Sequence, residues 1–195
     1  MIGWLFILVV VVGLTVAGCK ATRSGYESAP YQVVREDGKF EVRDYSALMV
    51  VETPMARSGS GADGGFNRLF RFITGGNEAG QKIAMTTPVF MSGTDTNPTM
   101  AFVMPAKLGA GAVPKPSDGA LTVRELAAGR FAVLRFRGGR SAKNEAESLR
   151  RLQAWMATER LSEKSPPVFG YFDPPWTPGF LRRNEVMLRT DPGQP

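Results

Sequence analysis

The sequence predicts an α+β fold of two similar halves, each running strands, helix, strands. The halves pair about a pseudo-twofold axis as a mixed sheet or open barrel with two helices packed on it. Three observations carry this. Short runs of β-branched and aromatic residues recur along the chain, separated by turn residues. Two segments show the three-to-four-residue apolar spacing of helices. Finally, Val42-Arg43-Asp44-Tyr45 and Val123-Arg124-Glu125-Leu126 occupy matching places on either side of a glycine- and proline-rich stretch.

In order, YQVVRE (31–36), FEVRDY (40–45) and ALMVVET (47–53) read as strands, with Asp37-Gly38 as a turn between the first two. SGSGADGG ends the third strand. Phe66, Leu69, Phe70 and Ile73 then follow at helical spacing, with Asp63 as N-cap and Gly75-Gly76 as stop. Extended segments resume at 82–91 and 99–105, and LGAGAVPKPSDG (108–119) reads as a linker. The second half opens with strands at 121–126 and 129–136. Ser141 caps a helix running to about Arg160, with Ala146, Leu149, Leu152 and Met156 on one face. Strands at 167–172 and 184–189 complete it.

At 195 residues the chain suits one domain with its own core. The net charge of +6 favours anionic partners, but the basic residues are scattered and form no dense tract or nucleic-acid motif. With one cysteine and no histidine, internal disulfides and zinc sites built on cysteine or histidine clusters are excluded.

MIGWLFILVVVVGLTVAGC carries no charged side chain and ends in Val16-Ala17-Gly18-Cys19, which resembles a bacterial lipoprotein signal. That resemblance implies cleavage after Gly18 and lipidation of Cys19. The expected organisation is a signal peptide (1–18), the lipidated cysteine with a flexible tether (19–30), a ligand-binding body (31–190) and a tail (191–195). Lys20 stands where an inner-membrane lipoprotein carries aspartate, so the expected location is the outer membrane, facing the periplasm. The alternative is an uncleaved helix in the inner membrane, with Lys20 and Arg23 retained on the cytoplasmic side.

Gly75-Gly76-Asn77-Glu78 followed by Lys82-Ile83-Ala84-Met85-Thr86-Thr87-Pro88-Val89 resembles the signature of the SOUL heme-binding family. Tyr171-Phe172-Asp173-Pro174-Pro175-Trp176-Thr177-Pro178, with Arg182-Arg183-Asn184-Glu185-Val186, resembles that family's second signature, in order and spacing. The resemblance implies a distorted β-barrel of two repeated halves with two helices, akin to bacterial small-molecule-sensing domains. It also implies tetrapyrrole binding in an apolar cleft beside the first helix. By position, Phe66 and Phe70 match cleft-facing apolar residues, Arg71 matches a basic position suited to a propionate, and Trp176 falls in a loop bordering the cleft.

Such a ligand needs stacking area and a cation at its rim. Phe66, Phe70, Trp176, Met85 and Met91 are the candidates for area, and Arg71, Arg68 or Arg182 for the propionates. The helical aromatic stripe equally suits a core, and Arg182 equally suits a surface. Without histidine, iron ligation is left to Met or Tyr, or does not occur, and the ring face and carboxylates are then what is recognised. Heme and metal-free porphyrin are expected to bind comparably, as in a carrier. Three other functions stay open. One is an envelope binder of other planar hydrophobic or cationic compounds, and another is a structural lipoprotein. The third is an enzyme using Glu78, Glu185, Tyr45 or Tyr171 for acid–base work.

Overall fold

A computed structural model of the chain describes residues 25–55, 64–94 and 97–191. The apolar run, Cys19, the first part of the tether, the Asp63 cap and residues 192–195 lie outside the described residues.

The elements are β1 (Glu27–Ser28), β2 (Tyr31–Asp37), β3 (Phe40–Tyr45), β4 (Leu48–Pro54), α1 (Gly65–Ile73), β5 (Thr86–Thr87), β6 (Val89–Thr94) and β7 (Asn97–Val103). Then come β8 (Thr122–Leu126), β9 (Gly129–Phe136), α2 (Ala142–Thr158), β10 (Val168–Tyr171) and β11 (Asn184–Thr190). Among the described residues nine strands form one sheet in the order β2-β3-β9-β11-β10-β6-β7-β4-β8. Every pairing in it is antiparallel, so the open barrel is realised and the mixed sheet is not.

Apart from β2, which extends one edge, the order is palindromic about the β10–β6 contact. Each half lends one strand to the other: β3 pairs with β9, and β8 pairs with β4. Val42 faces Ala132, while Val123 and Val51, each displaced by 81 residues, face one another. The matched Val-Arg motifs are thus true structural equivalents.

Curling follows from chain length. β3 and β4 lie six strand spacings apart in the sheet order, roughly 28 Å if flat. Only Ser46 and Ala47 join them, a reach of about 11 Å from Tyr45 to Leu48. The sheet must therefore bend its edges together. One apolar cluster confirms the bend by joining Tyr45 and Val133 from one side to Leu48, Val50 and Ala101 from the other. That face is the inside of the half-barrel.

Both helices pack on the outside, α1 over β4 and β7, α2 over β9 and β11. The α1 stripe divides: Leu69 and Ile73 are buried together with Phe72, which the spacing did not single out, whereas Phe66 and Phe70 are exposed. On α2 the Ser141 hydroxyl accepts from the Asn144 N–H, as expected, but Ala146 is exposed and Ser148 takes a buried place beside Leu152 and Met156. Spacing alone could not separate these, because adjacent stripes differ by one residue.

Two segments are more ordered than composition suggests. The 108–119 stretch docks through Leu108 and Val113 on the α1 core, and the Glu78 N–H donates to the Lys115 carbonyl at 3.0 Å. The tether docks from Glu27: β1 pairs with β5, and the Ala29 N–H donates to the Thr87 carbonyl at 2.9 Å. Conversely, residues 82–85 belong to no named strand, and extended structure begins at Thr86.

Candidate functional site

With the helices over β4/β7 and β9/β11, the central strands β6 and β10 run between them on the outer face. Phe169 pairs with Met91 and Tyr171 with Val89. All four are half-buried, while their neighbours Phe90 and Gly170, pointing inward, are buried. A groove with an apolar floor therefore runs between the two helices, and the pseudo-twofold axis passes through it between β6 and β10. Its α1 wall carries Phe66 and Phe70, 40% and 46% exposed, with rings stacked at 6.0 Å and 13° between planes. Phe66 also sets its edge against Phe102, 5.3 Å away, and Phe102 is the register partner of Val89. Two parallel, exposed aromatic rings are thus anchored at the groove edge.

The α1 wall is positioned by its C-terminal stop. Gly75 takes φ +113, which a side chain rarely adopts, and the Gly76 N–H donates back to the Arg71 carbonyl at 2.8 Å. Buried Asn77 then donates to the carbonyls of Phe72 (2.9 Å) and Gln81 (2.7 Å), and accepts from the Gln81 N–H. The glycine-glycine-asparagine motif is a clamp holding the helix end to the following loop.

On the α2 side, the Tyr171 hydroxyl donates to the Glu145 carboxylate. Burial, with that carboxylate, raises the phenol well above its ordinary range, so it stays protonated. The loop between β10 and β11 carries Trp176, 79% exposed. Arg182 donates to the Thr177 carbonyl at 2.7 Å and to the Pro175 carbonyl, bracketing Trp176. Arg68 donates to the Thr53 hydroxyl (3.0 Å) and the Pro54 carbonyl (2.9 Å). Arg71 is exposed on α1, and Met85 packs half-buried against the α1 core.

A family described as SOUL heme-binding protein matches residues 26–189. The chain belongs to the SOUL heme-binding protein family. No curated protein matches it significantly. Among solved structures, this SOUL protein resembles the EcmrR C-terminal domain, with TM-score 0.55 at 10% identity over 83% of this chain and 98% of that one. A hydrolase from Listeria innocua gives TM-score 0.59 at 9% identity over 81% and 94% of the two chains. An uncharacterized conserved protein from Listeria innocua gives 0.59 at 10% over 78% and 92%. At these identities the likeness concerns the fold.

Inside the half-barrel the SOUL protein carries a buried ionic network. Glu185 points inward with no exposed surface. It accepts from Arg43 Nη1 (2.7 Å) and Nη2 (3.0 Å), and from Arg183 Nη2 (2.6 Å). Arg43 Nε reaches Glu41 at 2.6 Å, and Glu41 also meets Arg135 at 2.7 Å. Burial alone pushes the Glu185 carboxyl up, but Arg43 and Arg183 outweigh it and hold the group below the ordinary carboxylate range.

The acid–base candidates do not all converge on one site. Glu185 and Tyr45 join the inner network through Arg43, Tyr171 lies on the outer face with Glu145, and Glu78 is exposed. Sequence reasoning missed Val89, Phe169 and the Arg43–Glu185 pair. The first two needed the β6–β10 register. The third had a legible signal, an arginine at an inward position of the repeated strand motif.

Proposed function

We propose that this SOUL protein binds and carries a heme- or porphyrin-type tetrapyrrole in the groove between α1 and α2, reading the ring and its carboxylates and leaving the iron unligated by histidine. The observation that carries the reading is the stacked, exposed Phe66–Phe70 pair above the half-buried floor of Val89, Met91, Phe169 and Tyr171. A planar apolar ligand fits such a surface, since aromatic faces offer large contact area at low entropic cost. Met85 and Met91 add adaptable thioethers.

The donor set supports ring recognition. The chain has no histidine, and the Tyr171 phenol is held protonated by burial and Glu145, which disfavours it as an iron ligand. Of the basic candidates, Arg68 and Arg182 are engaged with protein acceptors, and Arg71 is the exposed cation on α1 that would meet a propionate. When bound, the tetrapyrrole supplies a broad apolar face and two carboxylates. Dispersal of Glu185, Tyr45 and Tyr171 across the two faces supports carriage over catalysis.

Hemin and metal-free protoporphyrin, titrated separately into the full chain, should both bind saturably and with comparable affinity, by tryptophan quenching and Soret absorbance. Phe70→Ala should weaken both by about three- to tenfold, the worth of one aromatic contact. Binding of hemin alone with a shifted Soret band would put a Met or Tyr on the iron. Saturable binding of neither would remove tetrapyrroles as the function.

We also propose that the carrier is a lipoprotein of the cell envelope tethered through Cys19, on the strength of the uncharged apolar run ending in Val16-Ala17-Gly18-Cys19. Mass spectrometry of the mature protein should find residues 1–18 missing and an acylated Cys19. An intact first methionine on an unmodified chain would sink the anchor.

A further inference from the structure

Inside the half-barrel, on the face opposite the groove, lies a cavity of about 330 Å³. This is the low end of the roughly 300–1,000 Å³ typical of small-molecule sites. Its walls are apolar, with Leu48, Phe90, Phe131 and Met187 prominent. Phe90 points into it while Val89 and Met91, on the same strand, floor the outer groove, so the sheet itself separates the two.

The polar groups here are few and placed. Arg124 is paired with Glu52 at 2.7 Å. Arg189 has no carboxylate partner among the described residues; its guanidinium donates to the neutral carbonyls of Ala128 (2.9 Å) and Ala127 (2.8 Å) and lies 4.9 Å over the Phe131 ring. A guanidinium carries five N–H donors, so capacity remains for an anion. The guanidinium itself is seated against Gly129: a Cβ there would stand 2.0 Å from Arg189 Nη1. Deeper in, the Tyr45 hydroxyl accepts from Arg43 Nη1 at 3.1 Å, and its own proton is turned to the Met187 sulfur, 3.8 Å away. Sulfur is a weak acceptor, so a stronger one on a ligand would displace it.

We infer that this cavity is a second ligand site, independent of the tetrapyrrole groove, for a small aromatic carboxylate whose ring lies among Leu48, Phe90 and Phe131 and whose anion meets Arg189. Positive charge in excess at the mouth selects against cations, and an ionised acceptor on guanidinium forms the stronger class of hydrogen bond.

The test is calorimetric titration of the full chain with 2-naphthoate and, separately, 2-naphthylmethylammonium. Naphthoate should bind saturably and the ammonium analogue at least tenfold more weakly. Arg189→Gln should cost about tenfold. Gly129→Ala, which leaves every lining side chain but Arg189 in place and displaces only its guanidinium, should cost the same. Ala101→Phe, filling the cavity, should abolish binding, with urea midpoints showing that each variant folds. Equal binding of the ammonium compound overturns the ligand class. Unchanged naphthoate binding in Ala101→Phe, or displacement of naphthoate by protoporphyrin from the unaltered chain, overturns the site.

Discussion

Arg43→Ala should lower the unfolding free energy by about 3–5 kcal/mol, the cost of leaving a buried ionic partner uncompensated. Arg43 and Glu185 have no exposed surface and meet through two hydrogen bonds, while Arg43 Nε holds Glu41 and its guanidinium lies 4.1 Å over the Tyr31 ring. Removing the arginine strands Glu185 on Arg183 alone and opens a void among aromatic rings. The pair replaced together, Arg43→Met with Glu185→Leu, should recover most of the loss, because the desolvation cost leaves with the charges.

The same carboxylate contributes to the acid limb, beside Asp44, whose carboxyl the Arg130 hydrogen bonds also hold below its ordinary range. The folded value of Glu185 lies below the unfolded one, so its contribution is complete above the ordinary value of 4.5 and is lost as pH falls through the lower folded value. Urea midpoints measured from pH 7 down to pH 3 should therefore drop steeply below about 4.5 in the unaltered protein, and Glu185→Gln should flatten that limb. A loss of under about 1 kcal/mol in Arg43→Ala would mean that water already solvates the network.

Phe72→Ala should cost about 3–5 kcal/mol, against about 1 kcal/mol or less for Phe70→Ala two residues away. Phe72 is fully buried in the cluster between α1 and the sheet, with Leu69, Ile73 and Phe102, and truncation leaves a cavity that neighbouring helix and strands can only partly close. Phe70 loses one exposed stacking partner. In porphyrin binding the ranking should reverse at a temperature where both variants are folded: Phe70→Ala weakened, Phe72→Ala close to the unaltered chain. If Phe70→Ala proved as destabilising as Phe72→Ala, the exposed face of α1 would be core and the groove would lose its wall.

Much of this arrangement was written locally. Strand and helix identities, the Ser141 cap, the glycine stop after α1 and the Val-Arg repeat depend on neighbours within a few residues, and each was legible in the chain. The repeat also implied two equivalent halves, and the two signature stretches carried the family. What the chain alone did not reveal was everything decided across the sheet. Whether Phe66 and Phe70 or Leu69 and Phe72 face the core turns on a rotation of α1 that only its seat on β4 and β7 selects. The floor of the groove joins residues some eighty positions apart, through a β6–β10 register that no local pattern encodes. Glu185 points inward because β11 pairs centrally between β9 and β10, where the 142-residue separation from Arg43 closes to a hydrogen bond. Local sequence determined the elements and their order. Long-range pairing, which makes non-local contacts only once the sheet curls, determined which side chains face a ligand.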